Sequence, residues 1–172
     1  MDMPTGLKTT SSPIAVSFSV QEAGPGVFTQ GRVDLQLNPL DQEVFVVTAV
    51  NLDPAVPDAI AGSNTSVFAS LCTTSQTGVQ NLSTNACLAT AVIDIRAQGF
   101  VDGGVGFTRS SQDTPDTNLE YIGVIATNDF FIQIEGTNNA AGKLLTGRLF
   151  GYRAKASASI YAALVQSEVL SS

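Results

Sequence analysis

The sequence predicts an all-β protein, an antiparallel β-sandwich of about eight strands, and three observations carry that prediction. Apolar residues recur at period two in stretch after stretch. Turn-forming residues punctuate the chain about every ten residues, and β-branched residues abound, with 17 Thr in the chain. Eight major strands joined by two or three long connections favour a jelly roll, with an immunoglobulin-like sandwich as the alternative. A chain of 172 residues fits one domain and buries about 70% of its unfolded surface without a disulfide or metal staple. Residues 1–12 read as an extended N-terminal arm and residues 13–170 as the sandwich.

The elements follow in order. "PIAVSFSV" turns Ile14, Val16, Phe18 and Val20 to one face. "GRVDLQLN" sets Val33, Leu35 and Leu37 against Arg32, Asp34 and Gln36, a half-buried strand. In "EVFVVTAVNL" both parities are apolar, Val44, Val46 and Val50 opposite Phe45, Val47 and Ala49, so a strand covered on both faces is expected. Residues 51–64 contain two prolines and a glycine and read as a long connection with one helical turn. "TSVFASLCTT" returns to alternation, and "CLATAVIDIRA" places Ala91, Ile93 and Ile95 inward with Asp94 and Arg96 outward. A glycine-rich excursion with a short strand at residues 105–108 leads to "LEYIGVIAT" and "FFIQIEG", divided by a turn at Asn128 and Asp129. On the last strand Phe150, Tyr152 and Ala154 share one face, and Leu149, Gly151, Arg153 and Lys155 the other. Arg153 and Lys155 are two apart because alternate residues face outward, which makes a solvated or interface-facing strand the expectation ahead of a ligand strip. The final "SASIYAALVQSEVLSS" also fits helical spacing, but a strand with a loose tail is expected.

Charge narrows the function. Only 13% of residues are charged, against about 25% in an ordinary soluble domain, so 16 Ser and 17 Thr supply much of the polar surface. A net charge of -7 and a pI near 4.3 argue against strong nucleic-acid binding, which needs a basic surface. The absence of His removes the commonest general base, the usual nucleophile pairs and most transition-metal sites, and no pair of acids lies in a recognisable local motif. No enzyme activity and no cofactor are therefore expected. Asp113, Asp116, Asn118 and Glu120 in the 111–120 loop are oxygen ligands of the kind calcium takes, yet they lack EF-hand spacing, and turn capping explains them better. The glycosylation patterns at Asn64 and Asn81 are expected by chance in so Asn- and Thr-rich a chain. Cys72 and Cys87 flank a polar loop and are expected to be reduced thiols, although a bridge across a hairpin is geometrically open to them. There is no run of 18 apolar residues, and the first 13 residues lack the basic start and apolar stretch of a secretory signal.

Low charge, apolar residues on both strand faces and the arm "MDMPTGLKTTSSP" fit a chain whose faces are covered by assembly. With "ATNDFFIQIEGT" and "GRLFGYRAKA", the sequence resembles in style the small β-sandwich structural proteins of virions, single jelly-roll capsid subunits or decoration proteins. That resemblance implies many copies in a symmetric homo-oligomer or shell, contacts with other capsid proteins, no turnover of substrate, no membrane, and location in a virion made in the host cytoplasm. Only Lys8 is basic before Arg32, which departs from a genome-binding arm and favours an outer or lattice role. The expected subunit contacts are the outward faces of residues 44–50 and 145–152, with Val47, Leu149, Phe150, Tyr152, Arg153 and Lys155 as the named candidates. The competing class is a carbohydrate- or receptor-binding module whose loops gather Asp102, Asp113, Asp116 and Tyr121 around a sugar or calcium.

Overall fold

A computed structural model describes residues 5–97, 99, 107–112 and 120–171. Ten strands and one α-helix are formed among them, with a short 3-10 helix at Pro39–Asp41: β1 (Leu7–Thr9), β2 (Ile14–Gln21), β3 (Thr29–Asp34), β4 (Glu43–Pro54), β5 (Thr65–Cys72), β6 (Cys87–Arg96), β7 (Phe107–Gln112), β8 (Gly123–Ile125), β9 (Asp129–Thr137), β10 (Leu144–Ala156) and α1 (Ala158–Ser171). They make an all-β sandwich of two five-stranded antiparallel sheets. In the first sheet β10 is central: β4 and then β8 lie on one side, and β2 and β1 share the other side end to end. The second sheet runs β3-β9-β5-β6-β7. The pairings are nested: β5 pairs with β6, β4 with β8, β3 with β9 and β2 with β10, so the chain doubles back about the β5–β6 hairpin.

Period-two patterning builds the core between the sheets. From the first sheet come Phe18, Phe45, Val47, Leu52, Leu145 and Leu149, and from the second Val67, Ala69, Leu71, Ala89, Ala91, Phe130, Ile132 and Ile134, all buried. The rings of Phe18 and Phe130 meet edge to face at 5.7 Å across the sandwich, a geometry that adds about 1 kcal/mol to their burial. Leu35 and Leu37 belong to the same core although β3 ends at Asp34; Gln36 between them turns through a left-handed φ of 54°.

The long apolar run of β4 is covered on both faces, as its composition predicts, but its alternation changes phase. Phe150 pairs with Ala49 and Gly151 with Val47, so Thr48 is an extra residue on β4, a β-bulge tied by its hydroxyl to the Phe150 carbonyl at 3.2 Å. Phe45 and Val47 before the bulge, and Val50 and Leu52 after it, therefore all face the inter-sheet core. Gly151 sits beside this bulge, where a Cβ would run into the Val46 carbonyl and lie 2.6 Å from the Phe45 ring. Any larger residue would push the two central strands apart.

Two expectations are corrected. Residues 157–171 do not form a strand. After Ala156 the chain leaves the sheet, and Ala, Leu and Gln, good helix formers with no strand edge to join, wind into α1. Residues 51–64 contain no helical turn, because β4 continues to Pro54 and an irregular loop follows. In the N-terminal stretch, Leu7–Thr9 is extended and pairs with Ala154–Ala156, and the Arg153 amide donates to Ser11 Oγ at 2.9 Å. Gly6 (φ 87°) makes the turn into β1 against α1, where a Cβ would lie 2.9 Å from Ile160. Residues 1–4 lie outside the described residues.

Candidate functional site

The outer faces of the two sheets are covered by different chemistry. On the first sheet, α1 lies over a second apolar cluster of Val44, Val46, Ala126, Tyr152, Ala154 and Ala156. Leu7 from β1 and Tyr161, Leu164 and Val165 from α1 pack onto it, the helical residues at the i, i+3, i+4 spacing that makes one stripe. The other side of α1 is in solvent: Ala162, Ala163, Gln166 and Ser167 are exposed, and Ile160 is 37% exposed at the margin. In sequence α1 has one charged residue, Glu168, and its exposed side mixes small apolar residues with uncharged polar ones. The described side chains of the exposed side thus lack the charges that ordinarily mark a helix face meant for water. The Tyr152 hydroxyl is buried beneath this cover with no hydrogen bond among the described residues, and burial, with the negative charge of Glu120, raises its pKa.

On the second sheet, the loop of residues 73–86 folds back and is held by a polar network. Buried Ser70 donates to Gln133 Oε1 (2.7 Å), and Gln133 Nε2 donates to Gln30 Oε1 (2.9 Å). The loop closes onto these groups: the Gln76 amide donates to Gln30 Oε1 (2.8 Å), Gln30 Nε2 to Ser75 Oγ (2.9 Å), and the Gln80 amide to Ser70 Oγ (3.2 Å). At its base Cys72 and Cys87 are register partners across the hairpin, both buried and not joined by a disulfide. The hydrogen bond to Cys87, with burial, pushes the Cys72 thiol far above its usual range. It is a poor nucleophile in this state.

The residues proposed as subunit contacts divide by parity. Val47 and Leu149 are fully buried in the inter-sheet core and have no surface to offer a partner. Tyr152 faces outward from the sheet but is covered by α1. Arg153 and Lys155 occupy the parity that points between the sheets, not outward. At the end of the sandwich Arg153 donates to the carbonyls of Leu35 (2.8 Å) and Gln36 (3.3 Å) and pairs with Glu43 (2.8 Å), whereas Lys155 lies past the core and is exposed. Only Phe150, half-buried on the outer parity, continues the face that α1 covers. The signal for α1 was the helical spacing of its apolar residues, which a strand reading sets aside.

Of the loop acids, Asp102, Asp113 and Asp116 lie outside the described residues, as does Asn118, while Glu120 and Tyr121 are exposed. No group of three potential metal-ligating side chains occurs among the described residues. Asp94, expected to face solvent, holds the outward parity but is buried, with Arg96 3.5 Å away. No helix among the described residues is long and apolar enough to cross a membrane. Comparison of the chain with protein-family models, with curated proteins and with solved structures returned no match.

Proposed function

We propose that this chain is a self-assembling structural protein of a virus particle, a single jelly roll that builds or decorates the shell through contacts between copies. The observation that carries the reading is α1: a helix with one charged residue in its sequence, laid on the first sheet with Ala162, Ala163, Gln166 and Ser167 exposed on its outer side and Ile160 at the margin. A surface helix ordinarily turns charged residues to water, and none stands among the described side chains of this outer side. A second copy is the occupant argued for, because an uncharged helix face of small residues can approach a copy of itself without charge repulsion, and a two-fold contact needs only one such patch. Phe150 extends the patch along β10.

The nested pairing of β2 with β10, β3 with β9, β4 with β8 and β5 with β6 supports the jelly-roll reading over the immunoglobulin-like one. The low charge of the chain supports assembly in the same way, since a monomer has little else to keep apolar surface from aggregating. The test is the mass of the purified protein by light scattering over a range of concentrations, followed by negative-stain imaging. Discrete oligomers or shells are expected. A monomer that persists at high concentration would sink the proposal.

A further inference from the structure

We propose that the outer face of the second sheet carries a binding site for a neutral oligosaccharide, centred on Phe68. This face is opposite the one covered by α1, so it goes beyond the assembly reading and stays open when copies meet through the helix.

The site follows from register. Three successive rungs cross β9, β5 and β6: Gln133–Ser70–Thr90, Glu135–Phe68–Val92 and Thr137–Ser66–Asp94. All nine residues share the outward parity. The 73–86 loop closes over the first rung and stops, leaving the second and third under two adjoining hollows of about 460 and 260 Å³ that share Phe68 and Thr137. The larger is bounded by Val79, Gln80 and Asn81 of the loop, and the smaller reaches Arg96 and Asn138. Together they follow β5 from Asn64 to Ala69, about 16 Å at the rise of a strand.

Phe68 is 38% exposed in the middle of a sheet face, with Val92 beside it as an apolar floor. Directly opposite Phe68 stands Glu135, half-buried, whose carboxylate makes no hydrogen bond or ion pair with a described residue. The Thr137 hydroxyl is likewise unengaged among the described residues, and Asn81 uses only its Oδ1, on the Ser83 amide and hydroxyl, so its amide NH2 is available. An aromatic floor ringed by a free carboxylate, a hydroxyl and an amide is the chemistry that grips a sugar: the C–H face rests on the ring while its hydroxyls meet donors and acceptors at the rim.

Other occupants fit less well. An anion meets Glu135 and finds no Lys or Arg in the larger hollow. A metal ion would have one carboxylate there. An added peptide strand needs a free sheet edge, and these three strands are paired on both sides. A purely apolar ligand would strand the rim groups without partners.

The test is titration of the full chain with maltohexaose, cellohexaose and chitohexaose, and with the anionic hexagalacturonate, followed by amide chemical shifts. At least one neutral hexasaccharide is expected to bind at millimolar concentration or below, shifting amides of β5, β6 and β9, with hexagalacturonate roughly tenfold weaker. Phe68→Ala is expected to cost at least about tenfold in affinity and Glu135→Ala a few-fold, with both variants still folded because neither side chain belongs to the inter-sheet core. The proposal is overturned if none of the three neutral sugars binds at about ten millimolar, if binding survives Phe68→Ala, if the anionic sugar binds as well, or if the shifts map to another face. A monomer that binds sugar would sink the assembly reading and keep this one. A shell that does not bind would do the reverse.

Discussion

The two outer faces of the sandwich are each covered by a piece of their own chain, and the covers differ in what they leave behind. The 73–86 loop lies on the second sheet through hydrogen bonds among Gln30, Ser70, Gln76, Gln80 and Gln133, each group satisfied by another. Such a network is directional and fixes one placement of the loop, with Leu82 as the one large apolar side chain the loop turns outward among the described residues. The helix α1 lies on the first sheet through Tyr161, Leu164 and Val165, contacts without direction, and its far side presents Ala162 and Ala163 beside Gln166 and Ser167, with no charge among the described side chains. A hydrogen-bonded cover fixes its own placement, whereas a helix held by apolar contacts keeps an uncharged side turned outward. That difference is why assembly is assigned to the first sheet and ligand binding to the gap beside the loop on the second.

Perturbations separate the covers from the core beneath them. The largest effect is expected from Val47→Asp. This places a charge with no partner in the inter-sheet core, costs several kcal/mol and abolishes folding, so both faces are lost together by circular dichroism. A folded Val47→Asp protein would contradict the placement of β4. Next comes Gln133→Ala, which leaves buried Ser70 and Gln30 short of partners; a loss of about 2 kcal/mol in denaturant unfolding is expected, with faster amide exchange confined to residues 73–86. Leu164→Ala removes a half-buried contact and should cost about 1 kcal/mol, with exchange rising in α1 and β1 but not in the loop. If either substitution loosened both covers equally, their independence would be refuted.

The smallest effect is on pH. Asp58 accepts hydrogen bonds from Lys143 Nζ (2.7 Å) and the Ala140 amide (2.7 Å), which clamp the β4–β5 loop to the β9–β10 loop and hold its pKa below the ordinary carboxylate value. A lowered folded pKa means a contribution fully present above about pH 4 and lost as pH falls through the folded value. Asp58→Asn should flatten that part of the acid unfolding curve. An unchanged acid limb would show that the clamp does not form in solution.

Much of the fold was legible because burial on one face writes itself at period two. Val16, Phe18 and Val20 enter the core as their spacing predicts, as do Phe130, Ile132 and Ile134. Thr48 left no trace, since a bulge changes the phase of an alternation and in a run apolar on both parities the phase is invisible. The same blindness misplaced Val47 and Leu149 as surface residues and turned Arg153 outward, where the structure aims its guanidinium at carbonyls between the sheets. For α1, an apolar helix and a strand buried on both faces carry the same composition, and only the lack of an edge to pair with decides between them. The groove on the second sheet was unreadable because its rungs join Phe68 to Glu135 across 67 positions of sequence, a register that pairing alone determines.

The most direct test of assembly through α1 is the sedimentation mass of Ala163→Glu beside that of the unaltered chain at the same concentration. Ala163 is exposed on the far side of the helix, so a Glu there leaves the monomer's fold and melting temperature intact while placing a charge in the contact between copies. If copies meet through that face, the unaltered chain sediments as a multimer and the variant as a monomer. Equal multimeric masses for both would contradict the assignment of α1 as the contact, and a monomeric mass for both would contradict assembly itself.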